Sequence, residues 1–172
     1  MKKAILFVLA CVAMLPVMAQ SQLSVLGVPF GSDKAVVIKA LQEDGSAISN
    51  ELSKEGTVVV ANKKIGGITW DEVVLTFQNR GGRSFLSRCE LVKNDKNRCE
   101  AFNVAENVRF ALTKRYGEME DDPNGEGWYN CYGGEDPTDV GRYAVRVLNK
   151  TVDGQQTTHV IYGPFNYTRV GL

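Results

Sequence analysis

The sequence predicts an α+β fold: two helix-plus-three-strand units forming an antiparallel sheet with two helices packed on one face. Three observations predict it. Two segments repeat apolar residues at three-to-four-residue spacing, as amphipathic helices do. Two others alternate β-branched and aromatic residues between glycine-marked turns. No strand–helix–strand alternation with glycine-rich turns interrupts this order in the 172 residues.

The first unit opens with "LSVLGVPFG", Leu23 to Gly31. The stretch Gly31-Ser32-Asp33-Lys34 invites comparison with a phosphate loop, but such a loop needs G-x-x-x-x-G-K-[S/T]. No second glycine follows here, and Pro29 has no N–H to offer an anion. The segment reads instead as a turn and a helix start, with Ser32 or Asp33 as the N-cap. Val36, Val37, Ala40 and Leu41 then form one apolar face, and Gly45 supplies the C′ residue. A polar link, "SAISNELSKEG", leads to three strands: Thr57–Gly67, Ile68–Gly82 and Ser84–Asn94. Gly66-Gly67 and Gly81-Gly82 fall where hairpin turns are expected. In the middle strand, alternation puts Trp70, Val74 and Thr76 on one face and Val73, Leu75 and Phe77 on the other.

The second unit begins with a helix from Asn97 to Tyr116. Asn97 with Glu100 three residues on resembles a capping box. Ala101, Val104, Ala105, Val108, Ala111, Leu112 and Tyr116 make its apolar stripe, and Gly117 ends it. An acidic loop, "EMEDDPNGEG", precedes "WYNCYGG", "RYAVRVLNKTVDG" and "QQTTHVIYGPF", a second meander with Asp153-Gly154 at its last turn. Both helices carry V-x-x-A-L, at Val37–Leu41 and Val108–Leu112. With the repeated element order this suggests a duplication relating 23–94 to 95–172. A shared packing requirement would produce the same three residues at this spacing.

The start of the chain has the pattern of a signal peptide over residues 1–19. Met1-Lys2-Lys3 is basic, "AILFVLACVAMLPVM" is apolar, and "VMA" offers cleavage after Ala19. The apolar run is shorter than the roughly 20 residues a span requires, and Pro16 lies near its end. "VLAC" at Cys11 faintly resembles a lipobox, but it stands too close to the lysines. The expected protein is therefore exported (periplasmic, envelope-associated or extracellular), with residues 20–172 as one domain and no membrane span. Without Lys2 and Lys3, basic residues fall from 20 to 18 against 20 acidic ones, a net charge of −2. That balance does not attract nucleic acid, which selects a basic stripe.

Cys89, Cys99 and Cys131 remain after cleavage, and an oxidising compartment favours one disulfide among them with one thiol left over. All three pairings stay open. No C-x-x-C occurs and His159 is the only histidine, so metal-ligand spacing is absent and no cofactor or metal is expected. Catalysis would need an activated nucleophile beside a base. His159 could serve one cysteine in that way, with Cys131, beside the aromatic cluster, as the candidate, and no G-x-S-x-G elbow is present. Glu118, Glu120, Asp121, Asp122 and Glu126 cluster in a loop with the composition of a solvated turn, outside any calcium-loop register. Trp128, Tyr129 and Tyr132 are the best candidates for recognition, with Trp70 weighed beside them, because exposed aromatics anchor binding surfaces. The same residues also serve as ordinary sheet and core.

The motif G-x-P-F-G-x-x-x-x-x-V followed by L, here Gly27 to Leu41, resembles the start of small exported bacterial proteins of unknown function. Those proteins are similar also in a meander, a helix ending in K-x-Y-G (Lys114–Gly117) and further strands. The layout resembles two architectures: the small outer-membrane assembly lipoprotein, and the secreted β-lactamase inhibitor proteins built from tandem α/β units. The chain departs from the first in lacking a convincing lipobox, and from the second because three cysteines cannot form paired disulfides. The resemblance implies an exported binding or assembly module; the expected layout, with helices on one sheet face, makes the other face the natural place for a protein or cell-envelope partner. The alternatives are an enzyme of unfamiliar design, or a small-ligand binder, using the Cys131, His159 and aromatic region.

Overall fold

A computed structural model describes residues 24–122, 125–132 and 143–165, without the side chains of Tyr132, Tyr143 and Ala144. The expected signal peptide, residues 1–19, lies outside the described residues. Among those described, no helix is long and apolar enough to cross a membrane.

A two-stranded ribbon comes first, β1 (Ser24–Val25) and β2 (Val28–Pro29). Leu26 and Gly27 turn it with φ of 51° and 77°, the left-handed pair that a type I′ turn requires. Helix α1 (Lys34–Glu43) follows and buries Val37 and Leu41, while Val36 faces solvent. Asp33 stands at its N-cap position without capping it. Its carboxylate accepts instead from Arg83, Nη2 at 3.0 Å and Nε at 3.4 Å. The helix ends in a Schellman motif: Ser46 N–H reaches Leu41 O and Gly45 N–H reaches Gln42 O.

Strand β3 (Ile48–Ser49) leads into β4 (Thr57–Ile65), β5 (Ile68–Arg80) and β6 (Arg83–Asp95). Both double-glycine turns have two positive φ angles, as predicted for tight hairpins. A bulge between Thr76 and Phe77 shifts the β5–β6 register, and Ser87 Oγ donates to Thr76 O beside it. Helix α2 (Arg98–Tyr116) has Asn97 as a true cap, accepting from Glu100 N–H at 2.9 Å. It buries Ala101, Ala105, Val108 and Leu112; Ala111, expected in the stripe, is exposed. The V-x-x-A-L ends therefore play the same part in both helices, each inserting its valine and leucine into the core.

The chain continues through β7 (Glu120–Asp121), β8 (Gly127–Tyr132), β9 (Tyr143–Val152) and β10 (Gln155–Tyr162). Eight strands form one antiparallel sheet in the order β3-β4-β5-β6-β10-β9-β8-β7. Each half thus supplies a helix followed by four strands, and the order reads the same from either edge. The central seam pairs β6 with β10 from Cys89–Tyr162 to Asp95–Gln156. The first part of β6, where β10 does not reach, is bonded by two loops. Gly31 N–H donates to Leu86 O and Leu86 N–H to Ser32 O, while Phe165 N–H donates to Ser87 O.

This architecture corrects the expected α+β layout of two helix-plus-three-strand units with both helices layered on one sheet face. Strand makes up about half of the described residues and helix less than a quarter, in one eight-stranded sheet plus a two-stranded ribbon. The physical reason is size. Helix α1 is about 15 Å long and lies against β6, whereas eight strands span about 34 Å. Helix α2 lies mainly against β6, β8, β9 and β10. The helices cover parts of the sheet rather than forming a second layer.

Candidate functional site

Strand pairing decides where each candidate residue stands. Trp70 is 2% exposed and packs in the core cluster with Val73, its indole N–H 3.4 Å from Ile65 O. It is buried despite its odd spacing to Val73; beside it Asn62, whose φ is 50°, has no partner in the β4–β5 ladder, although the register is the same on both sides. Trp70 is therefore packed as a core residue. It also lies four strand spacings, about 19 Å, from β8. Trp128 and Tyr129 are neighbours on β8 and face opposite sides of the sheet. Tyr129 donates its hydroxyl to Glu120 Oε2 at 3.0 Å, and that carboxylate raises the phenol above its usual range. Tyr132 closes β8 opposite Tyr143, and its side chain lies outside those described.

Trp128 is half-buried, and its surroundings form the candidate site. The Arg109 guanidinium, held by Glu106 at 2.8 and 3.1 Å, sits 5.3 Å from the Trp128 ring centroid. Phe102 of α2 meets the same ring edge-on at 6.5 Å, although Phe102 is 53% exposed. Both aromatic rings line a recess of about 750 Å³ between the first turns of α2, the 125–127 loop and the ends of β9 and β10. Arg98, Asp121, Glu126, Asn149, Thr151 and Gln156 supply most of its polar wall. Gly127, at the rim, lies so close to β9 that a Cβ would meet Val147 O at 2.0 Å.

Behind the recess is a buried polar cluster. Asp95, fully buried at the end of β6, accepts from Thr158 Oγ at 2.7 Å and lies 3.4 Å from Lys93 Nζ. Thr158 Oγ also contacts Ala101 O and the Asn149 amide, each at 3.2 Å. This cluster ties α2 to the seam and fixes Asn149, a wall residue.

His159 stands elsewhere, on the opposite side of the sheet from Trp128. It is 8% exposed, with Nδ1 2.8 Å from Glu90 Oε1 and Nε2 2.9 Å from Thr157 Oγ. Arg88 completes the chain, 2.6 Å from Glu90 Oε2. The hydrogen bond from His159 is the main reason that the Glu90 carboxyl is held below the usual range; burial opposes it and Arg88 adds to it. A carboxyl depressed in the folded state stabilises the fold above its unfolded range, and that contribution is lost as pH falls through the folded value. Glu90→Gln is therefore expected to flatten the acid limb of the stability profile below about pH 5. Thermal midpoints measured between about pH 3 and pH 7 check this; parallel wild-type and variant profiles would contradict it.

His159 and Cys131 are not brought together. By strand register they are two strands apart and four residues along, about 10 Å by 13 Å. Nor does the expected disulfide form: Cys89 is buried in β6, Cys99 is exposed on the first turn of α2, and Cys131 sits in β8. Burial pushes the Cys89 thiol well above its usual range, which makes it inert rather than reactive. Among the described residues no group of histidine, cysteine and carboxylate side chains is placed to hold a metal. Sequence reasoning missed Phe102, Asn149 and the Glu90–His159 pair. Phe102 breaks the helical apolar stripe, a usable signal; the other contacts depend on cross-strand register.

No protein family, curated protein or solved structure matches this chain.

Proposed function

We propose that the protein is an exported, non-catalytic binding module that contacts a cell-envelope partner through the Trp128 recess. The observation that carries this reading is Phe102: a large aromatic side chain left half in solvent at the mouth of a preformed cavity, against a second aromatic ring. Rigid aromatic anchors of this kind dominate the energetics of recognition surfaces. The separation of His159 from Cys131, and the hydrogen-bonded occupation of both His159 nitrogens, support a binding role over nucleophilic catalysis.

Co-sedimentation with washed envelope fragments tests the reading. The wild-type chain is expected to sediment with them, and Phe102→Ala about tenfold less, since truncating an anchor costs that much or more. Phe102 is mostly solvent-facing, so the variant is expected to keep the wild-type thermal midpoint. Absence of wild-type sedimentation, or equal sedimentation by the variant, overturns the proposal.

A further inference from the structure

We infer that the recess takes a neutral, polyhydroxylated ring, the chemistry of a saccharide; this rests on the reading of the recess as the recognition site. Among the described residues the charge of the wall cancels, with Arg98 and Lys150 set against Asp121 and Glu126, and Lys150 lies 3.8 Å from Glu126. Neither an anion nor a cation finds a net counter-charge there. Two aromatic rings offer the flat apolar surface on which the C–H face of a sugar ring stacks. Arg109, which is not part of the wall, fixes Trp128 so that the surface is preformed.

The polar wall suits the hydroxyl edge of the same ligand. Thr158 Oγ carries one proton, and its shortest contact is to Asp95. Its contact with Asn149 is then met by the Asn149 NH₂, since amide oxygen and nitrogen are interchangeable in assignment. That orientation leaves the Asn149 carbonyl as an acceptor for the recess. Gln156 donates to Thr151 Oγ at 2.8 Å, which leaves its own carbonyl oxygen as a second acceptor on the wall. Carboxylate, amide, hydroxyl and guanidinium groups thus surround one apolar platform. The volume lies within the ~300–1,000 Å³ typical of small-ligand sites.

The two tryptophans provide the test, because one lines the recess and the other is buried in the core. In the full chain, the indole N–H resonances are followed while maltotriose, cellotriose and chitotriose are titrated separately. A tripeptide of alanine and inorganic sulfate serve as ligands of other classes. The expected result is a saturable shift of the Trp128 indole with one or more trisaccharides, while the Trp70 indole stays still. Phe102→Ala and Gln156→Ala, both at the rim, are expected to weaken binding about tenfold each. The inference is overturned if no trisaccharide moves Trp128, if both indoles move together, or if the peptide or sulfate acts as strongly. Envelope sedimentation that persists without any saccharide shift overturns this inference alone. Loss of both overturns the recess as the recognition site.

Discussion

Phe30→Ala is expected to lower the unfolding free energy by about 3–5 kcal/mol, the range for removing a fully buried aromatic ring. Phe30 has no exposed surface, and it meets Phe165 edge-on with centroids 4.5 Å apart and Tyr162 at 6.5 Å. The cost falls at the upper end because the site cannot collapse. The residue after Phe30 is hydrogen-bonded to Leu86 O, and Phe165 is bonded through its own N–H to Ser87 O. Both segments are thereby pinned to the backbone of β6, and the cavity stays open. Phe30→Leu is expected to cost less than half as much, because a branched side chain refills part of the space. Urea unfolding with an unchanged m-value checks both variants. A loss under about 1 kcal/mol for the alanine variant would show that the two loops relax around the vacancy.

Gly127→Ala is the second large effect, expected at about 3 kcal/mol or more. The added Cβ would lie 2.0 Å from Val147 O and 3.0 Å from Leu148 Cα. These are backbone atoms of the paired strand, so no side-chain rotation relieves the contact and β8 has to draw away from β9. Trp128 is the next residue, and the recess should deform with it. Gly66→Ala is the informative control: its φ is 62° but nothing lies within 4 Å of its Cβ position. Conformational strain alone is worth about 1 kcal/mol there. If the two alanine variants unfold at the same denaturant concentration, close approach is not what requires glycine at position 127.

Much of the local structure was legible because local rules govern it. The double-glycine turns, the Asp153-Gly154 hairpin and the Asn97 cap are each decided by two to four consecutive residues. The three long strands of the first meander lie where alternation placed them, with Val73, Leu75 and Phe77 sharing one face as expected, and that face is buried. What alternation could not show is the number of strands and the extent of the helices. Strands β1, β2, β3 and β7 have two residues each, too few to display a period. Asp33 was legible as a cap by type, yet Arg83, fifty residues away, captures its carboxylate. Trp70 is a candidate contact residue by type, as an aromatic, and only tertiary packing shows that it is buried. The site itself was half-legible. Trp128 stood out by composition, but Phe102 and Asn149 reach it only through the packing of α2 on the second half of the sheet.

The mirror-ordered sheet has a consequence for the order in which the chain can become a protein. Its innermost pairing joins β6 to β10, more than 60 residues further along the sequence. A ribosome therefore delivers the first helix and four strands well before the strand that completes their centre. Until β10 arrives, β6 presents the backbone groups from Cys89 to Asp95 without their eventual partners, an edge open to any other strand. Closing contacts so distant in sequence is intrinsically slow. The midline of the sheet is thus the pairing whose two strands are furthest apart in the order of synthesis.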